Sequence, residues 1–169
     1  MTNRATVEII IILLCVAWCA GIFAAPLLER AGDPGTSAVV YEFYGRVCHQ
    51  IDNHSWHIAG AKFGVCARCT SIYVSFTVGT LVWMLIPRRV PARPRRGLLF
   101  IAAGLMLLDV VLNTLGVHAS SSLTRAITGS ALGVVLPWIV LPVLLEAIDQ
   151  LRRGRLRTAH PPAGDTPYV

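Results

Sequence analysis

Charge is what this 169-residue sequence has least of: 14% of its residues are Asp, Glu, Lys or Arg, where a soluble domain carries about 25%. That shortage excludes an ordinary cytosolic protein and a disordered chain. Lysine is all but missing, since Lys62 is the one instance and Arg supplies the other 14 cations, so no lysine chemistry is expected. The cations form no tract with interleaved aromatics, and the net charge of +6 therefore does not point to nucleic acid. They sit instead in short clusters between long apolar runs, in a chain that is 54% hydrophobic with a mean hydropathy of +0.61. Strand-like alternation is absent too, and a lipid-exposed open sheet could not satisfy its backbone.

Four stretches are long enough to cross about 30 Å of hydrocarbon, which takes about 20 residues of helix. They are roughly Ile9–Leu28, Thr70–Pro87, Gly97–Val117 and Ala126–Leu145. If all four cross, one side receives Arg4, the five arginines between 88 and 96, and Arg152, Arg153, Arg155 and Arg157. The other side receives Arg30, Arg46, Lys62 and Arg68, balanced by Glu29, Asp33, Glu42 and Asp52. The positive-inside bias then makes both termini cytoplasmic, in a plasma-membrane protein. A cleaved signal peptide is the rival for the first span. Its apolar run exceeds the usual 7–15 residues, however, and Phe23-Ala24-Ala25 is a poor cleavage site.

The fold expected is an all-α membrane protein: four transmembrane helices in a bundle, one domain over residues 1–151, with the lipid bilayer as partner. Residues 29–69 form one long Cys/His-containing exoplasmic loop, too long for a mere connector. Residues 118–122 make a short second exoplasmic turn. Segment 87–96, rich in Pro and Arg, reads as a stiff cytoplasmic linker, and 152–169 as a disordered cytoplasmic tail.

The loop holds Cys48-His49 and then Cys66-Ala67-Arg68-Cys69, the CxxC lying where the second span begins. A helix N-terminus and a neighbouring Arg both favour thiolate over thiol, and thiolate serves two chemistries. One is metal binding, with Cys48, His49, Cys66 and Cys69 as a Cys3His set. Three loop thiols cannot all pair as disulfides, which favours this branch; His57 or His118 are substitutes for His49. Zinc is the default ion, and iron or copper accept the same ligands. The other is thiol–disulfide exchange, because a CxxC at the mouth of a four-helix bundle is also the arrangement of quinone-linked disulfide-forming enzymes. A structural disulfide plus a spare thiol is the plainest alternative. Cys15 and Cys19, four apart on the first span, read as packing residues, and His54 and His57 as solvated loop histidines.

Inside the spans, Asp109 and Asn113 share a face of the third helix, about 12 and 6 Å below its exoplasmic end. An intramembrane acid normally faces the bundle interior and marks a functional site. Arg125 and Thr128 on the fourth helix and Tyr73 on the second lie at similar depth. Together they outline a polar pocket for a small anionic or lipid-like ligand, with Asp109 as proton acceptor and Arg125 as anion clamp. A buried Asp–Arg pair that only holds helices together is the competing reading. Ser71, Ser75 and Gly79, with Gly129 and Gly133, form small-residue stripes that let backbones approach closely.

Cys48-His49-Gln50 with Ser55, then Val65-Cys66-Ala67-Arg68-Cys69-Thr70 and Ile72-Tyr73, resemble an uncharacterised prokaryotic membrane family, domain of unknown function 2085. Its pattern continues with an Asp in the third helix and R-x-x-TG opening the fourth, matched by Asp109 and by Arg125, Thr128 and Gly129. The resemblance covers about residues 41–133. It implies a four-span protein with a Cys-rich exoplasmic site and brings no activity with it. His54 stands where the pattern has Arg, Ser71 where it has Gly, and Asn113, His118 and Ser122 where it has Gln, Arg and Asn.

Overall fold

The computed structural model describes residues 4–58, 60–86, 93–117 and 121–159, the side chains of 93–96 and 154–159 excepted. It is mostly helical. The long helices are α1 (Arg4–Arg30), α3 (Ala67–Leu85), α4 (Arg93–Thr114), α5 (Ser122–Val135) and α6 (Pro137–Ala159). A shorter helix, α2 (Pro34–Gly45), and a two-stranded ribbon of β1 (His57–Ile58) and β2 (Ala61–Lys62) fill the segment between α1 and α3.

Among the described residues three candidate membrane spans stand out by length and composition: Arg4–Arg30, Gly97–Thr114, and Ser122–Arg153 across the α5–α6 junction. The second expected span is a helix over Ala67–Leu85 but is not among the three. Thr70, Ser71, Ser75 and Thr80 dilute its apolar character, and all four are buried. Helix α3 is the centre of the molecule, packed chiefly on α5 and also on α1 and α6. Outward-facing side chains such as Leu13, Leu14, Phe100 and Leu107 are large, apolar and exposed.

The α3–α5 contact is built on absent side chains. A Cβ on Gly129 would lie 2.7 Å from the Arg68 carbonyl oxygen, and one on Gly133 would lie 2.5 Å from that of Ile72. Gly79 likewise would meet the Val134 carbonyl oxygen at 2.9 Å. These are backbone atoms, which cannot swing aside, so the expected close approach of the small-residue stripes is realised.

The segment expected as an open loop is folded back on α1. Asp33 caps α2, its Oδ1 accepting from Thr36 N–H at 3.0 Å, and Pro34 takes the first helical position, where no N–H is needed. That hydrogen bond holds the Asp33 carboxyl below the usual range. Helix α2 then runs antiparallel to α1. Ser37 Oγ donates to the Ala25 carbonyl (2.8 Å) and Tyr44 OH, two turns later, to the Trp18 carbonyl (2.6 Å). Pro26 inside α1 has no N–H for the Ile22 carbonyl, and Gly64 N–H occupies that acceptor at 3.1 Å.

Ile22, Tyr44, Cys48, Phe63 and Val65 form the core at this end, with Trp18, Trp56, Cys66, Cys69 and Tyr73 packed around it. A second core of Trp83, Leu141 and Leu145 lies at the other end of α3. Helix α4 starts within the expected linker and α6 continues into the expected tail. Residues 87–92, His118 with the rest of the second turn to 120, and 160–169 lie outside the described residues.

Gly133→Ala should lower the thermal unfolding midpoint of detergent-purified protein, by an overpacking cost of about 1–3 kcal/mol. Gly104→Ala, where an added Cβ meets nothing within 4 Å, should leave the midpoint unchanged or raise it. Equal behaviour of the two variants would disprove the close α3–α5 contact.

Candidate metal centre

Cys66 is the N-cap residue of α3, with extended backbone (φ −64°, ψ 162°) and no side-chain cap hydrogen bond. Cys69 follows three residues later, so both sulfurs lie at the helix N-terminus. Cys48 reaches them from just beyond α2 and is buried. The three Sγ atoms lie within 4.8 Å of one another. None of the five cysteines is in a disulfide.

Cys48 Sγ accepts the Cys66 backbone N–H at 3.3 Å. Hydrogen bonds from the Cys66 and Cys69 thiols and from the backbone at Cys66 and Gln50 hold the Cys48 thiol well below its ordinary range, against the opposing effect of burial. Within the triad these hydrogen bonds favour thiolate charge on Cys48.

Gln50 fixes the turn that delivers Cys48. Its backbone is left-handed (φ 50°), and its Nε2 donates to the carbonyls of Tyr41 and Gly64, both at 2.7 Å. Lys62 Nζ returns to the Gln50 carbonyl at 3.2 Å. One amide thus ties α2, the Cys48 turn and the strand leading to the CxxC. The sequence motif marked Gln50 without revealing this role.

His49 is exposed and outside the thiol group. Its neighbour Cys48 faces the core, and in this turn the two adjacent side chains diverge. Among the described residues no histidine joins the three sulfurs. His57 forms an exposed pair with Asp52 (3.2 Å). His54 is half-buried, and its pKa is depressed by burial and by the nearby guanidinium groups of Arg125 and Arg68. Cys19 Sγ meets Thr77 Oγ1 at 3.3 Å, a packing contact between α1 and α3.

Asp109, 9% exposed, makes an ion pair with Arg68, the charged residue inside the CxxC. A cation in the first turn of a helix opposes the helix dipole, and Asp109 on α4 compensates it. Tyr73 sits on the α1 side, its ring 5.5 Å from that of Trp18. Thr128 Oγ1 donates to carbonyls of its own helix. Arg125 is buried on α5, and Asn113 is half-buried near the end of α4. A cavity of about 390 Å³ does lie between α3 and α5, but none of Tyr73, Asp109, Asn113, Arg125 or Thr128 lines it.

The family model described as a predicted membrane protein, DUF2085, matches residues 48–139, from the first cysteine of the triad into α6. The chain belongs to that family. The DUF2085 match takes in all three thiols, the Arg68–Asp109 pair and the glycines of the α3–α5 contact, while α1 and α2 precede it. The uncharacterized protein MJ1492 of Methanocaldococcus jannaschii is 30% identical over 146 residues, covering 83% of this chain and 94% of that protein. No solved structure matches.

Asp109→Asn should destabilise the protein by about 3–5 kcal/mol, because it leaves the Arg68 charge buried without its counter-ion. The paired change Arg68→Met with Asp109→Leu should lose less than Asp109→Asn alone, read from unfolding midpoints in detergent. A double variant no better than the single would refute the pair as the source of the loss.

Proposed function

We propose that this DUF2085 protein is a membrane metal protein in which Cys48, Cys66 and Cys69 bind one ion through thiolate sulfur, leaving a fourth position for an exogenous ligand. The observation carrying this reading is the convergence of three free thiols within 4.8 Å. An ion bound tetrahedrally at about 2.3 Å from each sulfur sets them about 3.8 Å apart, inside the reach of this cluster. The Cys66 N–H donated to Cys48 Sγ suits an anionic ligand atom. Zinc is the default ion, with iron or copper as the other ions such sulfurs accept. Three protein ligands and an open position are the pattern of catalytic rather than closed structural zinc sites. The ligand is then a small membrane solute, and Asp109 acts through Arg68 to position the CxxC turn.

Topology follows from the distribution of charge. Helix α3 serves as the fourth span, since its polar residues are covered by neighbouring helices and it can cross without being apolar throughout. Both termini are then cytoplasmic and the thiol site lies at the exoplasmic side of the plasma membrane.

A second reading uses the same thiols. Cys66 and Cys69, free and at a helix N-terminus, suit oxidation to a disulfide, with two electrons and two protons passing to a quinone. Elemental analysis of detergent-purified protein, with a thiol count under denaturing, non-reducing conditions, separates the two. One equivalent of metal is expected, lost in Cys48→Ser and in Cys66→Ser and kept in His49→Ala. Metal-free protein with Cys66 and Cys69 joined as a disulfide would overturn the metal reading in favour of exchange chemistry or a structural staple.

A further inference from the structure

The cavity between α3 and α5 adjoins the thiol core without belonging to it. Its floor carries Thr70, Ser71 and Ser75, and its lips are Val74 and Val78 on α3 and Val134 on α5. The lips are open, with exposures of 36%, 52% and 44%. Its end wall is Phe23, Phe63 and Trp56, aromatic residues that also pack around Cys48, Cys66 and Cys69.

The floor is polar by residue name only. Thr70 Oγ1 donates to the Cys66 carbonyl at 3.1 Å, Ser71 Oγ to that of Ala67 at 2.8 Å, and Ser75 Oγ to that of Ser71 at 2.5 Å. Their hydroxyl hydrogens are spent inside α3, so these residues supply room rather than donors. The exposed surface of the cavity is almost entirely carbon. A volume of about 390 Å³ is within the ~300–1,000 Å³ of small-molecule sites.

We propose that this cavity is a binding groove for one hydrocarbon chain of a bilayer lipid, which it leads to the aromatic wall of the thiol site. The choice of occupant rests on continuity. One lip belongs to the α5–α6 unit, which is long and apolar enough to cross a membrane, so the groove opens onto the same surface that faces acyl chains. An aqueous solute would have to enter through those apolar lips and would find the α3 hydroxyls already donating to helix carbonyls, with Ser130 of α5 the one other hydroxyl in the lining. The inference deepens the metal reading by naming the class of ligand that comes near the thiols, but the groove itself rests only on membrane insertion.

The test is photolabelling in phosphatidylcholine vesicles that carry a diazirine in the acyl chain, with labelled residues located by peptide mass spectrometry. Enrichment is expected at Val74, Phe63 and Trp56 over Leu105 and Leu107, apolar α4 residues exposed to 51% and 63%. Val78→Trp should abolish labelling at Phe63 and Trp56 while labelling on α4 persists; Val74→Trp is a second block should the first fail to fold. Uniform labelling of all outward-facing residues, or labelling of Phe63 and Trp56 that survives both blocks, would reduce the groove to ordinary boundary lipid and overturn the proposal. Metal content is measured on the same samples and should be unchanged in Val78→Trp. Enriched labelling of metal-free protein would sink the metal reading and leave the groove, and a metal-loaded protein with uniform labelling would do the reverse.

Discussion

A backbone carbonyl inside an apolar helix needs a donor, and the Ile22 carbonyl has lost its usual one to Pro26. The donor that replaces it is Gly64 N–H, two residues before the N-cap of α3. That one bond fixes how deep along α1 the ribbon docks, and Ser37 and Tyr44 repeat the theme on the carbonyls of Ala25 and Trp18. A Cβ at position 64 would lie 3.2 Å from the Ile22 oxygen, so the small residue and the missing proton belong to the same contact. Cys66 follows two residues on, and its distance from Cys48 is set by this docking.

From there the site is tied outward in two directions. The Arg68–Asp109 pair links the first turn of α3 to α4, and Gly129 brings α5 against the carbonyl of the same Arg68. The CxxC turn is thus gripped through both its side chain and its backbone. Burying an ion pair is not by itself stabilising. Its effect here is to fix orientation, because a cation at a helix N-terminus has few stable alternatives to an adjacent carboxylate.

Much of the fold was legible because membrane helices announce themselves by length and apolarity, and the small-residue stripes by their four-residue spacing. The thiol group was legible as well, since CxxC and an upstream Cys are chemically unusual in such a chain. The content of the 29–69 segment was less so. Asp33-Pro34 is a sound helix-start signal, yet α2 buries only a few residues of its own, and its docking depends on α1 carbonyls that have no residue signature. The placement of His49 was unreadable because adjacency in sequence says nothing about which way each side chain points in a turn. Arg68 was read for its effect on the thiols, and its partnership with Asp109 needed the relative rotation of α3 and α4. Of the polar residues read as sharing a depth in the spans, Tyr73 packs on Trp18 of α1, because depth alone does not fix which face of a helix a residue occupies.

The ribbon that carries Trp56 and Phe63 lies in the chain between Cys48 and Cys66. Any ion held by those cysteines closes this segment into a ring, removing conformations the free chain would sample. Two residues inside that ring wall the groove between α3 and α5. An ion and a groove occupant would then share one element, and thermodynamic linkage would make any influence between them mutual: whatever factor the ion contributed to affinity in the groove, the occupant would return to the affinity for the ion.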